Sequence, residues 1–343
     1  MRARALAVLV LAIPLPAAAQ APAAAASGPE EVRFRNGELE LAGLWSVPEG
    51  QGPFPAAVFI RGSGPSTRGA AWTTAVRDAL LDAGVAVLVP DKRGSDGSGG
   101  DWRTADFGDL ADDALVAVDF VRARPDVRAD AVGLLGLSQG GKIAPVAAAG
   151  SHRVAWVIDL VGSATPLAEQ VSWEMYHTFR EAGLEGEALQ QALGVQVAAE
   201  RYLEGATRWE RFAAAREEAL SSDWASANPD ARAVIEGFPD AEDSWRWDFF
   251  RRVVDFDPLP HWREVRQPVL VVYGEDDHNA PTVRSAYRLT RAFEEERHPD
   301  WTVRVLPRTG HALWDPESDP HRPELHPELV ELLRSWLGRV AAP

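Results

Sequence analysis

From residue 56 onward the chain alternates short, almost wholly apolar runs with longer amphipathic stretches, and this rhythm restricts the fold more than any other feature. The runs 56–60, 85–90, 132–136, 154–161, 269–273 and 301–306 have the length of strands. The intervals 70–83, 107–124, 139–149, 282–295 and 327–340 carry apolar residues at helical spacing. Strands without a polar face must be covered on both sides. The pattern therefore predicts an α/β fold, a mainly parallel sheet with helices on both faces. Ahead of it, two short alternating stretches flank Asn36-Gly37, the signature of a hairpin.

One interval breaks the rhythm. Between residue 161 and the strand at 269 no strand pattern appears, and the connection is far longer than an ordinary crossover. The stretch is rich in Ala, Glu and Arg, holds Trp173, Trp209, Trp224, Trp245 and Trp247, and reads as helical. It is expected to be a cap inserted into the sheet domain, its tryptophans serving first to pack the helices together. The expected organisation is a signal peptide at 1–20, core at 21–163, helical cap at 164–255 and core again at 256–343.

The leader is inferred from layout: Arg2 and Arg4, an apolar run over 6–15, then Pro16 and small residues through Ala21. The run is too short to span a bilayer, so export to the periplasm or the medium is expected, without a stable membrane anchor. The chain has no cysteine, which excludes disulfides, thiolate metal sites and a thiol nucleophile. A formal net charge of −16 argues against a nucleic-acid partner. Oligomeric state has no signature here.

The strongest local signal is Gly136-Leu137-Ser138-Gln139-Gly140, placed after an apolar strand and before a small-residue helix. A nucleophile on so tight a turn needs small neighbours. Gly136 and Gly140 let the turn close, and Gly141 and Ala144 let the helix approach the sheet. The helix N-terminus then sets the Gln139 N–H and a positive dipole end beside a reacting carbonyl.

A serine hydroxyl needs a base to take its proton. His311, in Thr309-Gly310-His311 just after the run 301–306, stands where a short loop returns it to the sheet edge. His278 is the one serious rival. The acid that would orient the base belongs to the loop Gly274-Glu275-Asp276-Asp277, with Asp276 and Asp277 both eligible. The chain order Ser, Asp, His is that of one particular arrangement of such triads.

With Arg61-Gly62-Ser63-Gly64-Pro65 and Asp91-Lys92-Arg93-Gly94 added to these landmarks, the chain resembles the α/β-hydrolase superfamily. The likeness is to its bacterial capped esterase-like branch, related to serine aminopeptidases and dienelactone-hydrolase-like enzymes. The resemblance implies Ser138, Asp277 and His311 as a catalytic triad, since the family's acid stands three residues after the glycine. It also implies an oxyanion hole made by the Gln139 N–H and a backbone N–H of the loop after the third strand, mapping to Ser63 with Gly62 as neighbour. Arg61 stands where relatives commonly have His; bracing of the loop and contact with a substrate carboxylate are both open to it.

The implied activity is serine hydrolysis of carboxylic esters through an acyl-enzyme, with a small-molecule ester or related acyl compound as substrate. An aminopeptidase, a thioesterase and a non-catalytic binding protein on the same fold are the alternatives. No cofactor is expected, because neither a Walker-type nor a Rossmann-type glycine pattern occurs. No metal is expected either: the acidic, His-containing stretch 315–326 lacks a ligand spacing and reads as a solvated loop.

Overall fold

The computed structural model describes residues 29–65 and 68–342; the expected leader lies outside them. The strands are β1 (Glu30–Asn36), β2 (Leu39–Ser46), β3 (Phe54–Ile60), β4 (Ala86–Pro90), β5 (Val127–Leu137), β6 (Val157–Leu160), β7 (Val269–Gly274) and β8 (Trp301–Leu306). They form one sheet in the order β1-β2-β4-β3-β5-β6-β7-β8. β1, β2 and β4 pair antiparallel, and every pairing from β4 through β8 is parallel.

The helices before the long insertion are α1 (Ala71–Asp82), α2 (Phe107–Arg122) and α3 (Gln139–Ala148). Within it lie α4 (Leu167–Glu181), α5 (Gly186–Leu203), α6 (Trp209–Leu220), α7 (Asp223–Ala227), α8 (Pro229–Glu236) and α9 (Trp245–Val253). After it come α10 (Leu259–Glu264), α11 (Thr282–Glu295) and α12 (Pro327–Val340). Local chemistry sets several of these ends. Asp106 and Asp109 form a reciprocal capping box at the start of α2, and Pro327 occupies the first turn of α12.

Two differences from the sequence reading have simple causes. The hairpin closes on Asn36 paired with Leu39, so Gly37 and Glu38 form its corner and Gly37 takes the positive φ of 58°. Asn36 instead ends its strand and donates to Asp113. β5 begins five residues earlier than its apolar run, because Val127 pairs with Phe54 while Arg128, Ala129 and Asp130 carry the strand on to that run.

Described by contacts, the chain forms two compact units. In the sheet unit the strands β3 to β7 are buried through most of their length. Trp156 lies wholly inside, edge-on to Trp336 of α12 at 6.2 Å between ring centroids. A side chain at Gly133 would meet the Trp156 ring at 2.0 Å, so that glycine makes room for the indole. The helical unit comprises Pro166–Asp257 together with His278–Pro281. Trp247, Phe212, Tyr202 and Trp209 pack edge-to-face at its centre, whereas Trp173 and Trp245 are exposed. His278 and Asn279 belong to this unit through bonds to Glu181 and Glu174 of α4, which neither residue's sequence context announces.

Candidate active site

Four parallel strands deliver their carboxyl ends to one place, the usual location of sites in open parallel sheets. β5 leads directly into Ser138, whose backbone sits at φ 55° and ψ −114°, a conformation uncommon for a residue with a side chain. The turn is held by a bond from the Ser138 N–H to the Leu160 carbonyl and one from the Gly141 N–H to the Ser138 carbonyl. The glycines around it are required by distance. A Cβ on Gly136 would lie 2.3 Å from the Gly140 carbonyl oxygen, and one on Gly141 would lie 1.9 Å from the Asp159 carboxylate on β6.

β7 ends in Gly274 and β8 in Leu306, and the two following loops are laid against each other. The Glu275 and Asp276 N–H groups donate to the carbonyls of Leu306 and Thr309. A Cβ on Gly274 would stand 2.5 Å from both the Thr309 and Gly310 carbonyl oxygens, so only glycine admits this approach. The result is a continuous chain of hydrogen bonds. His311 Nδ1 lies 2.8 Å from Asp277 Oδ2, and His311 Nε2 lies 2.8 Å from Ser138 Oγ. The Asp277 carboxylate is fully buried, while the imidazole retains some access to solvent.

The rival groups are elsewhere. Asp276 is exposed. His278 bonds to Glu181 and stacks on His177 at 4.2 Å within the helical unit. The stretch 315–326 folds as a loop pinned by a bridge between Trp314 and Leu325, and His326 caps α12. Among the described residues no group of three or more His, Asp or Glu side chains is disposed to hold a metal ion. None of their helices is long and apolar enough to cross a membrane.

The model of the alpha/beta hydrolase family matches residues 57–323, well over half of the chain. This protein belongs to the alpha/beta hydrolase family. Its fold is also that of solved esterases. An esterase of Pyrococcus furiosus matches with a TM-score of 0.56 at 14% identity, covering 91% of this chain and 90% of its own. Est1E from Butyrivibrio proteoclasticus matches at 0.53 and 17% identity, covering 92% of this chain and all of its own length, 100%. DcsB, solved with a substrate analogue, gives 0.58 at 16% identity, over 92% of this chain and 100% of that one. At such identities the likeness speaks for the fold. No curated protein matches the sequence.

In this alpha/beta hydrolase the loop after β3 abuts the serine: a Cβ on Gly62 would be 3.5 Å from Ser138 Cβ and 4.0 Å from Oγ. Ser63 follows in the same loop, and Gln139 opens α3 on the other side of the serine. Arg61 is buried and braces the loop. Its guanidinium lies 3.4 Å from Asp91 and 3.8 Å from Asp96, and burial pulls its pKa below the ordinary value. Asp91 is further gripped by Arg68 and by the Gly97 N–H, which ties the loops after β3 and β4 together.

Three contributors escape sequence reasoning. Trp72, near the start of α1, sets its indole edge-on to the His311 ring at 5.5 Å and restrains its tilt. Lys142 of α3 is buried and donates to the carbonyls of Ser163 and Thr165 beyond β6. Asp159 is buried under the elbow, accepting from the Gly162 N–H, and burial raises its pKa well above the usual carboxylate range. None belongs to a local motif; each is found only when distant segments are brought together.

Proposed function

We propose that this protein is a serine hydrolase that cleaves carboxylic esters through an acyl-enzyme, with Ser138, His311 and Asp277 as its triad. The observation that carries this reading is the unbroken hydrogen-bond chain from Ser138 Oγ through the imidazole to the Asp277 carboxylate. A buried carboxylate on Nδ1 favours the tautomer that carries its proton there, leaving Nε2 free to accept. As Ser138 Oγ attacks the ester carbonyl carbon, its proton passes to Nε2. The imidazolium so formed is stabilised by ionised Asp277. The carbonyl π pair moves onto oxygen, where the Ser63 and Gln139 N–H groups bind the oxyanion. Collapse of the tetrahedral intermediate breaks the bond to the alkoxy oxygen, which takes the proton from Nε2 and departs as alcohol. Water, deprotonated by the same imidazole, then attacks the acyl-enzyme; the acid is released and Ser138 recovers its proton.

The esterase names among the structural neighbours favour an ester substrate of small-molecule size. The basic start, apolar run and small-residue exit of the first 21 residues support export, which N-terminal sequencing of the exported protein checks. The function is tested by turnover of an aryl-ester panel beside aminoacyl amides and thioesters, with labelling by a fluorophosphonate probe. Ester turnover that falls by several orders of magnitude in Ser138→Ala, together with loss of labelling, is expected. Preference for amides or thioesters transfers the same triad to a peptidase or thioesterase. Activity in Ser138→Ala equal to wild type refutes the proposal.

A further inference from the structure

Lys92, on the loop after β4, takes no part in the proton transfers, yet its amino group touches both halves of the oxyanion site. Nζ donates to the Gly62 carbonyl oxygen at 2.6 Å and to Gln139 Oε1 at 2.8 Å. The Gly62 carbonyl and the Ser63 N–H are opposite ends of one planar peptide unit. That unit is trans, so its C=O and N–H point in opposite directions, and fixing one fixes the other. Arg61 anchors the start of this loop to Asp91 and Asp96, and Lys92 grips the Gly62–Ser63 peptide itself. Lys92 is thus the lever that aims a donor on the far side of the peptide bond.

We infer that Lys92 is the positioning residue of the oxyanion site, orienting the Ser63 N–H through the Gly62 carbonyl while holding the side chain of the second donor residue, Gln139. The inference rests on the serine-hydrolase reading above. Binding a positive group to the carbonyl oxygen also draws electron density from the peptide and makes its N–H a stronger donor. Burial, and after it the neighbouring Arg61, pushes the Lys92 pKa down to about 7. Around it, Arg61 from the end of β3, Asp91 of its own loop and Asp113 of α2 line the same small cavity. Ammonium and neutral amine both have N–H bonds enough for the two contacts, so the grip survives loss of the proton.

The test compares wild type, Lys92→Met and Lys92→Arg in ester turnover, thermal unfolding and fluorophosphonate labelling carried to completion. Removing one oxyanion donor costs roughly 100- to 1,000-fold, and misaiming it should cost less. Lys92→Met is expected to lower kcat about 10- to 100-fold. Its KM should stay within about 2-fold of wild type, because the ground-state carbonyl gains little from the site. Ser138 should still label at the endpoint, and Lys92→Arg, which restores N–H donors, should regain much of kcat. If Lys92→Met does not fold, Lys92→Leu, which also lacks a donor, carries the same test. A wild-type kcat in Lys92→Met overturns the inference. So does a loss that tracks a lowered unfolding temperature and a raised KM without recovery in Lys92→Arg. Wild-type protein that neither labels nor hydrolyses esters instead overturns the serine-hydrolase reading, so the two failures are separable.

Discussion

A methyl group on Gly140 would stand 2.0 Å from the carbonyl oxygen of Ile60. The next nearest atoms are backbone as well, at 2.7 Å in the Ile60 carbonyl carbon and 3.1 Å in the Arg61 oxygen, so no side chain can swing aside. The serine turn and the end of β3 are pressed together at this point.

Gly140→Ala should therefore cost about 3 kcal/mol or more, through overpacking against backbone. Thermal unfolding and ester turnover check this; a variant as stable and active as wild type contradicts the reported proximity. Gly338→Ala is the control. That glycine lies inside α12, exposed, with nothing near its Cβ position, and alanine there should stabilise by roughly 0.5–1 kcal/mol.

Asp277→Asn tests the orienting role of the carboxylate. An amide on Nδ1 supports the tautomer with its proton on Nε2, which cannot accept from Ser138. Turnover should fall by about 1,000- to 10,000-fold with the fold intact. Asp276→Asn, one residue away but exposed, should stay within about 2-fold of wild type. Equal losses in the two variants would remove the distinction between them.

Asp159 offers a test through pH. Its folded pKa is raised well above 3.8, by burial first, with the Gly162 N–H and Lys142 acting in the opposite sense. A carboxyl raised in this way holds its proton in the native state while the unfolded chain gives it up. Its contribution to stability is full below the unfolded pKa and is lost as pH rises through the folded value. Asp159→Asn keeps the shape and removes the charge. Unfolding midpoints across pH 4 to 8 should show the variant gaining on wild type as pH rises; parallel curves would show that the carboxyl is not held neutral.

Most of the sheet was legible because strands covered on both faces leave unbroken apolar runs, as at 269–273, where β7 is buried along its whole length and ends one residue later. The serine turn was legible for a steric reason, since its glycines are dictated by contacts of 1.9 to 2.3 Å. Asp277 was separated from Asp276 only by resemblance; the structure separates them by which carboxylate reaches the imidazole. The roles of Trp72, Lys92 and Asp159 were not legible. Each depends on a partner from another segment, and neither periodicity nor local motif encodes such a meeting.

The two ends of the helical unit are bonded to each other: the Leu167 N–H donates to the Phe256 carbonyl and the Ala168 N–H to that of Val254. Departure and return of this long segment are thus tied directly to each other. A segment with tied ends can change in length at small entropic cost so long as those ends keep their separation. A lineage built this way is free to remodel that segment by insertion or exchange while the ties at its two ends stay in register.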